Sequence, residues 1–498
     1  MAFSVLDSSI FRSNSILCSS YYKCLLLNTL LIIGIISCAH SEDEIDQTDS
    51  IHSGYLIQPD GKFDTGYYSN LALELEGDFK ASLVLPLTGL DEQERLKMND
   101  PGILRIIAEQ QVKMAKSQLN EKSLHLNLTS DEIQWLNQFT VQREEGEFLV
   151  VEYSIVAESL VTFKELKEQG LDAKDLENTS HDVLIPEDPR DLFTRVGEAC
   201  AEGFEIGSLR ADNYFYYFAP NKSTCKIPMS MNASFHVRSL LPQTETFPEY
   251  DRLTADQEIS LAVIFGAYTS DDPPGSDWGV MMWRSYEVDL RLTGWKKVDG
   301  AIMGQRYTRT QKNIRQVMDL VSPNDLYAMQ DTNQAFAQLI KNNEIIVYNG
   351  HSFYGSLDAL ESAQSYPQDT YQILFMNSCW SYEYYTKQVF ANKVTADDAR
   401  GWQDVDVVNN TTYAYFPQMS ISTIKLVSNL LAGAGVGGAD QRGRRFSWQN
   451  IIGIMNDQAQ GICPEDADPR DCRGYIRKTK HEIYGVSGVR DNQFQPKE

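Results

Sequence analysis

The chain has 498 residues, 42% hydrophobic and 23% charged, with Tyr 25 and Phe 21 to fill a core. That is ordinary globular composition, it argues against an extensively disordered chain, and the length is more than one core usually absorbs. A formal net charge of −25 with no compensating basic stripe disfavours nucleic-acid binding, because an acidic surface repels phosphates.

The amino terminus reads as a leader. Residues 25–36 form an apolar run behind Arg12 and Lys23. The run is shorter than the roughly 20 residues a spanning helix takes. It ends in Ser37-Cys38 and gives way to the polar segment Ala39-His40-Ser41-Glu42-Asp43. This resembles a bacterial lipobox. It implies a lipoprotein-type signal over 1–38, lipid on Cys38, and export to the cell envelope on a membrane anchor. Simple secretion and an uncleaved anchor are the other outcomes. The polar, acidic residues 39–54 read as a flexible tether.

From 55 to 250 the pattern predicts an α+β or β-rich accessory domain. Leu71–Leu75, Ala81–Leu85, Phe148–Tyr153 and Tyr214–Phe218 read as extended. The spacing of Ile103, Ile106, Ile107, Val112, Met114 and Ala115 predicts a helix over 101–120. No chemical motif stands out here. A boundary follows near 245–258.

From 255 to 498 apolar runs alternate with helical stretches. Leu261–Gly266, Ile345–Tyr348, Ile373–Met376 and Val405–Val408 read as buried strands, and Tyr286–Leu292 alternates like a strand with one wetter face. Helical periodicity is expected over 309–340 and 419–432. Continuous apolar strands separated by helices imply an α/β domain whose mostly parallel sheet is covered on both faces.

Cysteine use follows from export. Cys200 with Cys225, and Cys463 with Cys472, are the expected disulfides, each bracketing a local segment. Cys379 is left over, either as an inert core thiol or as a reactive one.

Ligand sites in open α/β sheets lie beyond the carboxyl ends of strands. One buried strand exits into Asn349-Gly350-His351-Ser352, and the next into Asn377-Ser378-Cys379-Trp380. A right-handed crossover would set them side by side. A thiolate nucleophile needs charge stabilisation, which a helix starting after Cys379 would supply, and an imidazole can protonate the leaving amine.

These two exits resemble the caspase-like cysteine peptidases, which include caspases, legumains, clostripain and the gingipains. The resemblance rests on Val347-Tyr348-Asn349-Gly350-His351 and Asn377-Ser378-Cys379 and covers roughly residues 255–460. It implies a caspase-like fold, peptide or protein substrates, His351 as general acid and Cys379 as nucleophile. The backbone N–H groups of Ser352 and Cys379 would hold the oxyanion. The family usually has Gly after the His. Ser352 departs from this, which keeps open a second reading: a non-catalytic surface lipoprotein using the same scaffold for binding. Asp271 and Asp272 follow the first core strand, where some relatives place a substrate-reading Arg. They would suit a Lys or Arg substrate residue, or ligate calcium, or form an ordinary polar turn. No other cofactor is expected.

Overall fold

The computed structural model describes residues 66–496 apart from 123, 128–132, 205–208, 212–213, 228, 270–275, 330, 353–356 and 462–481. All described residues fall within one compact unit, Asp46–Glu498. The chain is mixed α/β, built on two sheets. The lipidation residue Cys38, the pair Cys463 and Cys472, and Asp271 with Asp272 lie outside the described residues.

The first sheet is antiparallel. Its long strands β1 (Ala72–Pro86) and β4 (Gly146–Thr162) pair along their length. Around them lie β2 (His125–Asn127), β3 (Gln134–Arg143), β5 (Ser180–Pro186) and β6 (Met229–Leu240), in the order β2-β4-β1-β6-β5 with β3 on β4. Alternation decides its faces. Leu75, Phe79, Ala81, Leu83 and Leu85 of β1 meet helix α1 (Pro101–Glu121), which contributes Leu104, Ile107, Ala108, Val112, Ala115 and Leu119. The two extended runs expected at 71–75 and 81–85 are one continuous strand. Tyr214–Tyr217, expected to be extended, forms a helical turn instead. Tyr214 and Tyr217 pack into the core on the α1 side, where Tyr214 meets Phe193 edge-on at 5.6 Å.

Eight strands make the second sheet: β7 (Glu258–Phe265), β8 (Lys296–Val298), β9 (Gln305–Gln311), β10 (Ile314–Val321), β11 (Ile345–Asn349), β12 (Gln372–Asn377), β13 (Val405–Asn410) and β14 (Tyr484–Ser487). Their order is β14-β13-β12-β11-β7-β10-β9-β8. The five from β13 to β10 are mutually parallel, β14 and β9 run antiparallel to them at the two flanks, and β8 pairs antiparallel with β9. Helices cover both faces. On one lie α2 (Trp278–Leu292), α5 (Phe416–Val436) and α6 (Trp448–Ala459), against Leu261, Val263, Phe265, Val347 and Phe375. On the other lie α3 (Thr332–Asn342) and α4 (Ser381–Lys393), against Ala262, Ile264, Ile346 and Leu374. Helix α5 is long and apolar enough to cross a membrane, but 61% of its most apolar window is buried inside this core.

Two local expectations are corrected. Tyr286–Leu292 is the end of α2, not a strand. Its alternating apolar residues do not share a face: Tyr286 and Leu290 are buried one turn apart, whereas Val288 and Leu292 are exposed. Ile314–Val321 is β10, not helix. The coincident spacing of Ile314, Val317 and Met318 mimics a helical stripe, but the segment pairs with β7 and is buried on both faces.

Helix α4 lies between the sheets. Its Tyr382 hydroxyl donates to Glu74 Oε1 (2.6 Å), and Lys387 Nζ meets Glu158 Oε2 at 3.3 Å, both pairs buried. Glu383 Oε2 lies 3.4 Å from Lys116 Nζ, and its Oε1 lies 3.5 Å from His125 Nδ1. The other nitrogen of His125 is 3.2 Å from Glu165 Oε1. Burial alone would lower the His125 pKa, but Glu165 and Glu383 outweigh it and push it up to about 9. Ahead of β1, residues 66–70 strap the far edge of the second sheet. Tyr68 bridges Val486 of β14, Tyr67 shares a hydrogen bond with Thr411, and Ser69 Oγ donates to the Tyr484 carbonyl.

The expected Cys200–Cys225 disulfide is present, with Cα atoms 4.4 Å apart. It closes a segment of sequence separation 25. By restricting the unfolded chain, such a closure contributes about 3 kcal/mol. The double variant Cys200→Ser/Cys225→Ser should lose about that much in urea unfolding. An unchanged midpoint would remove the bridge from the account of stability. A second expectation follows from His125. Its pKa is higher folded (about 9) than the ordinary 6.5 of an unfolded chain, so its contribution is full below pH 6.5 and lost as pH rises through about 9. Melting of the parent should therefore fall more steeply across that window than melting of His125→Gln. Parallel curves would refute the charged bridge.

Candidate active site

Strands β11 and β12 are buried along their whole length, and both end in asparagine. Asn349 and Asn377 are partners in the parallel register. Asn377 Nδ2 donates to Asn349 Oδ1 (2.8 Å) and to Ser422 Oγ on α5 (3.0 Å), while Thr423 Oγ1 donates to Asn349 Oδ1 (3.0 Å). The backbone continues the tie: Gly266 N–H donates to the Asn349 carbonyl (2.7 Å), and Gly350 N–H to the Asn377 carbonyl (3.2 Å). His351 and Cys379 each stand two residues past this matched pair. They leave neighbouring strands, which lie about 4.8 Å apart, at the same level of the sheet's carboxyl edge. Gly350 is required between strand and histidine, because a Cβ there would sit 2.5 Å from Tyr348 Oη, which donates to the His351 carbonyl (2.9 Å).

His351 is held by what surrounds it. Its Nε2 lies 2.8 Å from the carbonyl oxygen of Tyr268, just beyond β7. A carbonyl only accepts, so the neutral ring carries its proton on Nε2 and its lone pair on Nδ1. The ring stacks on Tyr268 (5.9 Å between centroids) and meets Phe416 at 5.1 Å. Burial lowers its pKa, against the opposing pull of the Tyr268 carbonyl and the Asp277 carboxylate, so the imidazole is neutral at pH 7.

Cys379 is half-buried and outside any disulfide among the described residues. Its Sγ accepts from Ala414 N–H (3.4 Å), on the loop after β13. The next residue, Trp380, takes the left-handed backbone conformation (φ 47°), which costs a residue with a Cβ about 1–2 kcal/mol. Two contacts to the same loop hold it there: Trp380 N–H donates to the Thr412 carbonyl (2.9 Å), and its ring lies 4.5 Å from that of Tyr413. Helix α4 starts at Ser381, so its positive end lies directly after the thiol.

Ser352 is buried, and its carbonyl accepts from Tyr385 Oη on α4. The turn carrying His351 and the helix that follows Cys379 are thus directly joined. Among the described residues, no group of three or more His, Cys, Asp or Glu side chains is placed to hold a metal ion. The neighbours of His351 and Cys379 do not stand out in the sequence. Tyr268 and Ala414 act through backbone atoms and leave no sequence signal. Asp277 could have been found as an acidic cap ahead of the apolar run at 278–283. The Asn two places before both His351 and Cys379 was visible but had no assigned role.

No protein-family model, no curated protein and no solved structure matches this chain.

Proposed function

We propose that this chain is a cysteine peptidase of the caspase-like type, in which Cys379 and His351 form the catalytic dyad. The observation that carries the reading is the level placement of the two residues, each two positions beyond the paired Asn349 and Asn377. Neutral His351 with its lone pair on Nδ1 takes the Cys379 proton. The thiolate, at the positive end of α4 and beside the Ala414 N–H, attacks the carbonyl carbon of the scissile bond. Backbone N–H groups of Ser352 and Cys379 are assigned to the oxyanion. The imidazolium returns its proton to the leaving amine as the C–N bond breaks. Water activated by Nδ1 then hydrolyses the thioester and regenerates the thiol.

Export on a lipid at Cys38 belongs to the same proposal. The Cys200–Cys225 bridge supports it, because disulfides persist in oxidising compartments. A preference for Lys or Arg on the amino side of the cut, read by Asp271 and Asp272, is a further part of the proposal. The alternative reading, a binding scaffold without activity, has one observation in its favour: the residue after His351 is buried and bears a Cβ where the family's glycine would leave the oxyanion site open.

Hydrolysis of a broad fluorogenic peptide panel separates the readings. The parent should cleave, with basic residues preferred. Cys379→Ala and His351→Ala should each lose at least about 10³-fold in kcat, and the double variant little more, because residues acting as one unit are not additive. Thermal melts should stay within a few degrees. Undiminished cleavage by Cys379→Ala would remove the nucleophile. No cleavage by a well-folded parent would favour the scaffold.

A further inference from the structure

Three backbone N–H groups converge on one buried carboxylate close to His351. Asp277 Oδ1 accepts from Val280 N–H (3.2 Å), which caps the first turn of α2. Its Oδ2 accepts from Tyr268 N–H (2.8 Å) and Thr269 N–H (3.0 Å). The side chain is buried among these donors. A helix cap needs a single acceptor oxygen, and Ser, Thr or Asn would supply it equally well. The second oxygen does something a cap does not require: it fixes two consecutive peptide units of the segment that follows β7.

That segment carries the acceptor for His351. Gly266 N–H is tied to the Asn349 carbonyl at one end (2.7 Å), and Tyr268 and Thr269 are tied to Asp277 at the other. Helix α2 starts hard against the same segment: a Cβ on Gly279 would sit 1.9 Å from the Gly266 carbonyl oxygen. Between these constraints the Tyr268 carbonyl is aimed at His351 Nε2 (2.8 Å). We infer that Asp277 is a positioning residue for His351, acting through the Tyr268 carbonyl to keep the ring proton on Nε2 and the lone pair on Nδ1. The inference rests on the peptidase reading for its catalytic meaning, but the hydrogen-bond relay can be measured without any activity.

The decisive variant is Asp277→Ser. Serine caps helices well, so α2 keeps its Val280 bond, but the shorter side chain with one oxygen cannot also hold Tyr268 and Thr269. Protein labelled with ¹⁵N-histidine would be compared by NMR with the parent, and iodoacetamide labelling of Cys379 followed by mass spectrometry at pH 7. Melting should stay close to the parent. Solvent exchange of the His351 Nε2 proton should accelerate at least about tenfold, and alkylation of Cys379 should slow by about the same factor. If peptides are cleaved, kcat should fall with KM little changed. Should the serine variant not fold, Asp277→Asn gives the same readings, since its amide nitrogen must face N–H donors on one side. Parental exchange and alkylation rates in a folded Asp277 variant would overturn the inference and leave Asp277 a helix cap only. A parent that cleaves nothing, but whose Nε2 proton exchange still accelerates in Asp277→Ser, would sink the peptidase reading and leave the relay standing.

Discussion

The amide contact between Asn349 and Asn377 holds the ends of β11 and β12 level, and the geometry beyond those ends depends on it. Parallel strands have no turn to fix their register; only side-chain pattern and specific contacts do. Both strands are apolar on both faces, so the hydrophobic pattern alone would tolerate a shift. Two buried amides that find each other, together with Ser422 and Thr423 on α5, tolerate it poorly, because a slip would leave polar groups buried without partners. A displacement of one residue would also send His351 and Cys379 to opposite faces of the sheet.

Helix α4 extends this constraint to the first sheet. It starts after Cys379, and its sides carry Tyr382, Glu383 and Lys387 into contacts with Glu74, His125, Lys116 and Glu158. Buried ion pairs add little net stability, because desolvation offsets their attraction, but breaking one is costly. They favour one seating of the helix over others that would bury a charge alone. The residues ahead of 250 therefore do more than decorate the second sheet: they determine where the helix behind the thiol can sit.

The strands were legible in the sequence where a run was apolar throughout and short, as at Ile345–Tyr348 and Ile373–Met376. Such runs are buried on both faces, and their shortness and β-branched content set them apart from a buried helix. Legibility failed where a local period was accidental. Tyr286–Leu292 alternates, yet a helix capped by Asp277 overrides the alternation, and Ile314–Val321 shows helical spacing only until its partner β7 is in view. His351 and Cys379 were legible because side-chain types at strand ends carry meaning. The groups that orient them were not, because the Tyr268 carbonyl and the Ala414 N–H exist at every residue and gain a role only through folding.

The strap formed by residues 66–70 has a consequence for solubility. Strand β14 ends the second sheet, and an uncovered edge presents a row of backbone donors and acceptors to any other strand in solution. Tyr68, bridged to Val486 in both directions (2.8 and 3.0 Å), occupies that row with the chain's own backbone, and Tyr67 and Ser69 fasten it on either side. The segment that leads into the first sheet thus also serves as a guard against edge-to-edge aggregation. A truncation starting at residue 71 would remove this cover together with the buried Tyr67 and Ser69, and leave the β14 edge open to association.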